Sequence, residues 1–307
     1  MSRSRVQISL HPLYNKEKKV RMMNTILFPS SYFDINKVDE DLEQEYQAAV
    51  STGLFDIVIF SYDKWFNDGV LKLNRAVEAM TSAVYRGWMM KPEQYVSFYN
   101  ALSEKNIHLI TDPKSYELMH IFPNVYSLFG EDTAHMEIFP LHSDIDVEYL
   151  KKKFKRFMVK DYVKSVKGTE FPKYFDQTIT QSQFDEDMEL FYKYRGNLLT
   201  GGICIKEYLD LKRYGEVTNE YRVFYINHEV ATLSRNSNQG IYAPFPPEEL
   251  INKYKEIGSI YYTVDYAELE DGSWRIIEAG DGSVSGLSPG QDYEAYYRAL
   301  YHCLTDL

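Results

Sequence analysis

Short apolar runs alternating with amphipathic stretches organise the first third of the chain. Residues 25–30 (TILFPS) predict a buried strand, and the acidic stretch from Asp39 to about Val50 predicts a helix. Residues 55–62 (FDIVIFSY) form a second buried run, followed by a stretch that ends around residues 85–89. Residues 92–105 open with proline in a first-turn position and space Tyr95, Phe98, Tyr99 and Leu102 as a helix does. Residues 107–111 (IHLIT) close the pattern. Strands alternating with helices predict a small, mostly parallel sheet covered on both faces.

From about Phe154 the period changes. Strands lengthen, alternate polar with apolar positions and are joined by hairpins, with helices expected over 182–194 and 247–257. This half predicts an α+β arrangement on antiparallel sheet. Pro113, Pro123 and Pro140 punctuate the junction between the two patterns, somewhere in 112–150.

Charge narrows the function classes. The 307 residues carry 45 acidic and 34 basic side chains, a formal charge of −11. A duplex nucleic acid needs a dense positive face, so no nucleic-acid partner is expected and any nucleotide site must be a local basic pocket. No apolar run approaches the ~18 residues that span a bilayer, so no membrane partner is expected either. Residues 1–22 hold six basic side chains against Glu17 alone and predict a flexible basic tail, with a targeting segment as the alternative. Cys204 and Cys303 are too few for a disulfide framework, which fits a cytoplasmic location.

Candidate chemistry concentrates in the second half. Asp271-Gly272 predicts a two-residue hairpin turn, and that turn sets Asp265 opposite Glu278. Opposed carboxylates repel unless a proton or cation lies between them. Asp281 follows beyond a glycine, and three carboxylates at one strand end would suit Mg²⁺, a hard cation that takes oxygen ligands. Residues 157–166 (FMVKDYVKSV) place Lys160, Tyr162 and Lys164 on one strand face. An extended strand would hold the two lysines ~13 Å apart, so only one could serve a given phosphate. Residues 203–211 (ICIKEYLDL) set Lys206 and Tyr208 against a face that carries Glu207 among Ile203, Ile205 and Leu209. A carboxylate on an apolar face must find a donor, either an arginine or a base or ribose. Glu220 and Arg222 share a face of the next strand, where Arg222 suits a phosphate clamp or an ordinary ion pair. Phosphate-loop, zinc-helix and nucleophile-elbow motifs are absent from the sequence.

The order of these pieces resembles the ATP-grasp superfamily. A strand lysine with a glycine loop (Lys160 to Gly168) precedes Lys206-Glu207-Tyr208-Leu209, then Glu220-Tyr221-Arg222, Val264-Asp265 and Ile277-Glu278. The segment from Glu278 to Gly286 also resembles the clade named for two arginines and a lysine. Many superfamily members place an asparagine two residues after this glutamate, where this chain has Gly280.

The resemblance implies an α+β fold: an α/β lobe over 23–120 and an ATP-grasp unit over 121–307, whose two α+β lobes clamp a nucleotide between antiparallel sheets. It implies ATP and Mg²⁺ as cofactors, with ATP-dependent joining of a small-molecule or peptide carboxylate to an amine through an acyl-phosphate. Lys160 and Arg222 are the implied catalytic residues. Lys160, Lys206, Glu207, Tyr208, Leu209 and Glu220 would bind the nucleotide, and Asp265, Glu278 and Asp281 the metal. Arg86 and Ser285 would reach the substrate. A nucleotidyl or phosphoryl transferase and a non-catalytic nucleotide-binding module are the alternatives, and no oligomeric state is implied.

Overall fold

The computed structural model describes residues 24–166 and 168–305; the basic tail expected over 1–22 lies outside them. The chain opens with β1 (Thr25–Pro29), α1 (Glu43–Thr52), β2 (Asp56–Phe60), α2 (Tyr62–Asp68), β3 (Thr81–Tyr85), α3 (Pro92–Ser103) and β4 (Ile107–Leu109). The four strands form one parallel sheet in the order β2-β1-β3-β4. Ile26, Leu27 and Phe28 are all buried on β1, as a sheet covered on both faces requires.

Helices α4 (Pro113–His120) and α5 (Phe122–Phe129) lead into the central lobe. There β5 (Met136–Phe139), α6 (Val147–Lys153), β6 (Phe157–Asp161), α7 (Gln181–Arg195) and β7 (Ile203–Glu207) form a three-stranded antiparallel sheet, β5-β7-β6, backed by the two helices. Alternation decides which side is which. Phe157, Val159, Ile203 and Ile205 pack on Phe184, Met188 and Phe191 of α7. Met158, Lys160, Cys204 and Lys206 are left on the opposite face.

A two-stranded hairpin, β8 (Arg213–Tyr214) and β9 (Val217–Thr218), precedes the last lobe. That lobe contains β10 (Glu220–Ile226), β11 (Glu229–Arg235), α8 (Glu248–Asn252), β12 (Tyr261–Glu268), β13 (Trp274–Asp281) and α9 (Tyr293–Thr305). Its strands form an antiparallel sheet in the order β11-β10-β12-β13. Val223, Tyr225, Tyr262, Val264 and Ile276 face Met119, Phe122, Val125 and Phe129 from α4 and α5. Phe224, Ile226 and Tyr261 face the other way, onto Tyr296 and Leu300 of α9 and Ala48 and Ala49 of α1. The final helix thus returns to the N-terminal lobe and plugs the apolar half of that sheet face. The polar half of the same face, from Arg222 and Thr263 to Asp265, is where the candidate site lies.

Several boundaries differ from expectation. The strand expected over 157–166 ends at Asp161, and the one over 203–211 ends at Glu207. The helix over 247–257 shrinks to Glu248–Asn252. Among the described residues no helix is long and apolar enough to cross a membrane.

Candidate active site

The hairpin of β12 and β13 sets the register of the site. Asp265 pairs with Glu278, Thr263 with Gly280 and Tyr262 with Asp281. The turn is not the two-residue one that Asp271-Gly272 predicts. The amide of Leu269 donates to Ser273 and that of Gly272 to Leu269, which leaves a three-residue loop with Gly272 at φ 82°. Nearer the turn, Tyr266 pairs with Ile276, so the register skips Ile277 before Glu278 meets Asp265. The one-residue offset of the turn and this bulge cancel, and the expected pairing results.

The carboxylates do not confront each other bare. Arg222 is the cross-strand partner of Asp265 and grips it with two hydrogen bonds, Nε to Oδ1 at 2.8 Å and Nη2 to Oδ2 at 2.6 Å. Its remaining nitrogen donates to the carbonyl of Gly286 at 2.8 Å. Burial lifts the Asp265 carboxyl above its ordinary range, and the guanidinium beside it opposes the rise. Glu278 has Lys160 Nζ 3.7 Å from Oε1, and its side chain is 41% exposed to the cleft. Withdrawal from water favours its neutral acid, but Lys160, Lys164, Arg222 and Lys206 outweigh that and hold it down to about 2. Glu278 is a carboxylate ringed by cations.

Lys164 belongs to that ring, contrary to the separation an extended strand would impose. The chain turns back after β6: the amide of Asp161 donates to the carbonyl of Lys164, and Asp161 Oδ1 accepts from the amides of Val163 and Lys164 at 2.8 and 2.7 Å. Asp161 Oδ2 holds Arg195 Nε at 2.8 Å and the Thr200 amide at 3.2 Å, so the buried carboxylate fixes the turn from four sides. Alternating polar residues gave no sign that the strand would end there.

Lys206 is buried and donates to the carbonyl of Ile277 at 2.7 Å. Its ammonium lies 4.4 Å and that of Lys160 5.2 Å from the centre of the Phe122 ring, an aromatic wall that the sequence did not mark. Burial and then the charge of Lys160 depress Lys206 to about 7. Cys204 stands across from Lys160, and burial pushes its thiol up to about 12, so it stays protonated and is no nucleophile.

A cavity of about 640 Å³ lies between the central and last lobes, and Glu220, two residues before Arg222 on β10, is on its wall. Arg156, Lys173, Tyr174 and Tyr208 line one side, and Thr218, Glu220 and Ser237 the other. Arg156 lies over the rings of Tyr174 and Tyr208. Tyr208 and Glu220, both expected to contact a nucleotide, line this cavity. Leu209 does not line the cavity, and Glu207 turns away: its carboxylate accepts from the amide of His135 at 3.3 Å, on the β5 side. A carboxylate on the helix-backed face of β7 meets the neighbouring strand rather than a ligand.

Two further expectations are corrected. Asp281 does not join Asp265 and Glu278, because strand alternation sends it to the opposite sheet face. There its Oδ1 accepts from the Ser283 amide at 2.9 Å, its Oδ2 has no partner, and burial raises the carboxyl to about 7. Among the described residues no group of three His, Cys, Asp or Glu side chains converges as a metal cage. Arg86 is not offered to a substrate. It is 2% exposed and spends its guanidinium on both oxygens of Glu45, the Tyr261 hydroxyl and the Gly282 carbonyl. It fastens the N-terminal lobe to the end of the β12–β13 hairpin. Ser285 lies at that end too, bonded to Thr263 Oγ1 at 2.8 Å and to the carbonyl of Asp281 at 2.8 Å.

Residues 150–300 match the family model for an ATP-grasp domain, family 3 of the clade named for two arginines and a lysine. No curated protein sequence matches the chain. Among solved structures it is similar to D-cycloserine synthetase DcsG, with a TM-score of 0.59 at 12% identity, covering 92% of this chain and 99% of that one. It is likewise similar to D-alanyl-alanine synthetase A from Vibrio cholerae O1 biovar eltor, with a TM-score of 0.59 at 10% identity over 93% and 98%. A third is the ATP-grasp ligase PsnB complexed with minimal precursor, with a TM-score of 0.57 at 11% identity over 92% and 99%.

Proposed function

We propose, from the match of residues 150–300 to an ATP-grasp domain of the clade named for two arginines and a lysine, that the protein is an ATP-dependent ligase joining a carboxylate to an amine. The observation that carries this reading is the convergence of Lys160, Lys164, Lys206 and Arg222 on Glu278, with a cavity of about 640 Å³ between the central and last lobes. Arg222 is matched by Asp265, and Lys160, Lys164 and Lys206 outnumber the remaining carboxylate of Glu278, which leaves a net positive pocket that a polyphosphate would neutralise.

In this reading the nucleoside lies in the cavity against Tyr208, with Glu220 near its ribose. Lys160, Lys164 and Lys206 hold the phosphates. Asp265 and Glu278, two oxygen donors on one sheet face, fit Mg²⁺ if Asp265 shares its carboxylate with Arg222. An ion held by Asp265 and Glu278 would supply charge neutralisation at the phosphates. A substrate carboxylate oxygen attacks the γ-phosphorus, and the bond to the β-phosphate oxygen breaks to release ADP. Arg222, through the guanidinium protons that Asp265 and Gly286 leave free, would steady the acyl-phosphate. The amine then attacks the acyl carbon, phosphate leaves with the bonding pair, and the amine proton passes to solvent. Amino acids and peptides are the proposed substrates, and no protein nucleophile is required.

The test is incubation with Mg·ATP and pooled amino acids or peptides, with nucleotide products separated. Amine-dependent ADP and phosphate support the ligase. AMP and pyrophosphate would point instead to adenylyl transfer, and undetectable Mg·ATP binding by calorimetry would remove the ATP site altogether.

A further inference from the structure

We propose that the hydroxyl of Ser285 supplies a third protein oxygen to the Mg²⁺ site, in the place that Gly280 leaves without a side chain, and that Thr263 positions it. The inference rests on the reading of the β12–β13 end as the metal-binding end of an ATP site.

Strand alternation puts Gly280 on the same face as Glu278, directly across from Thr263 and two pairs along from Asp265. A side chain at 280 would therefore point beside the two carboxylates. The space is already taken: a Cβ there would lie 3.2 Å from Ser285 Oγ and 3.7 Å from Thr263 Oγ1. The space that a side chain at 280 would enter is held by a hydroxyl that arrives from the following loop. Asp281 cannot fill this role, since it faces the other way.

Proton placement decides what that hydroxyl shows to the cleft. Ser285 has one proton and donates it to the carbonyl of Asp281 at 2.8 Å. In its 2.8 Å contact with Thr263, Ser285 is then the acceptor and Thr263 the donor. The other acceptor open to Thr263, the carbonyl of Gly280, is at 3.4 Å and is the poorer one. Both protons are turned into the protein, and a lone pair of Ser285 Oγ is left over. Thr263 is buried and Ser285 half-buried, so the serine oxygen is the one within reach of a bound ion. Neutral hydroxyl oxygens do serve Mg²⁺ beside carboxylates and phosphates, as in phosphate-binding loops. The loop is also held in place, because Arg222 donates to the carbonyl of Gly286 next in sequence.

The test counts bound Mn²⁺ by electron paramagnetic resonance, with ADP present, and measures ADP affinity by calorimetry with and without the metal. Ser285→Ala should weaken Mn²⁺ on the order of tenfold or more while leaving metal-free ADP binding unchanged. Thr263→Val should do the same to a lesser extent, and Thr263→Ser should restore it. Adding Gly280→Asn to Ser285→Ala should recover Mn²⁺ affinity, because removal of the hydroxyl opens the space for the amide. Thermal midpoints identify any variant that fails to fold, and the Thr263→Ser and double variants then decide. Wild-type protein that binds Mn²⁺ and ADP while Ser285→Ala binds both equally well overturns this proposal alone. Wild-type protein that binds no ADP at all overturns the ATP site and this proposal with it.

Discussion

Lys206 donates to the carbonyl of Ile277, the one residue of β13 that the sheet register skips. A bulge frees a carbonyl that would otherwise bond to the neighbouring strand, and here it turns toward the central lobe. The contact ties β7 to β13 across the cleft and sets a lysine at its floor.

That lysine should make nucleotide binding depend on pH. Burial depresses Lys206 to about 7, so much of the free protein carries a neutral amine there at pH 8. Phosphates favour the charged form, and binding above pH 7 must therefore take up a proton. Mg·ATP affinity should fall with rising pH between 7 and 9, by up to about tenfold per unit. Calorimetry in two buffers of different ionisation enthalpy measures the uptake directly. Lys206→Arg, which stays charged, should bind without it; an unchanged proton count in that variant would assign the effect elsewhere.

Glu278→Gln should stop Mg²⁺-dependent turnover and also destabilise the free protein. An expectation of mutual repulsion with Asp265 would give the opposite sign, but Arg222 holds Asp265 and lysines surround Glu278. The Glu278 carboxyl lies near 2 in the folded state against an ordinary 4.5. Its contribution is thus present above pH 4.5 and is lost as pH falls toward 2. With the side chain 41% exposed, solvent screening limits the effect to on the order of 1 kcal/mol. Urea unfolding at pH 7 and pH 3 measures it, and the gap between variant and wild type should narrow at the lower pH.

How much of this site the sequence discloses depends on how local the cause is. Hydrophobic period identifies the parallel sheet and the two faces of β7, because burial acts on each residue where it stands. The Asp265–Glu278 pairing was legible for a partly mistaken reason: a three-residue loop and the Ile277 bulge offset each other. Lys164 and Arg86 were not legible. The first depends on a turn that Arg195 and Thr200 fix from other segments, and the second on Glu45, Tyr261 and Gly282. Such residues look like strand-face or cleft residues until the distant partner is in place.

Lys160→Met and Lys164→Met should both weaken Mg·ATP binding, since both charges act on Glu278. Asp161→Ala should weaken it as well, through the turn that carries Lys164. Removing this carboxylate strands Arg195 and should cost about 3 kcal/mol or more of stability. Thermal unfolding and ADP titration of the three variants separate the effects. Retention of full affinity in Lys164→Met would place that lysine outside the phosphate site.

Asp281→Asn is the variant that tells a metal ligand from a buried acid. Asp281 is fully buried, with one oxygen on the Ser283 amide and the other unpaired. Burial raises its carboxyl to about 7, against 3.8 for the ordinary group. A raised acid binds more protons folded than unfolded, so its contribution to stability is full below pH 3.8 and is lost as pH rises through 7. Asparagine keeps the oxygen that caps Ser283 and carries no charge at any pH. The variant should therefore match wild type near pH 4 and exceed it at pH 8 by a margin of about 2–4 kcal/mol. Bound Mn²⁺, counted in the presence of ADP, should be unchanged. If asparagine instead abolished Mn²⁺ binding while the fold stayed intact, Asp281 would have to turn toward Glu278 when the ion arrives, and its place on the opposite sheet face would not describe the loaded protein.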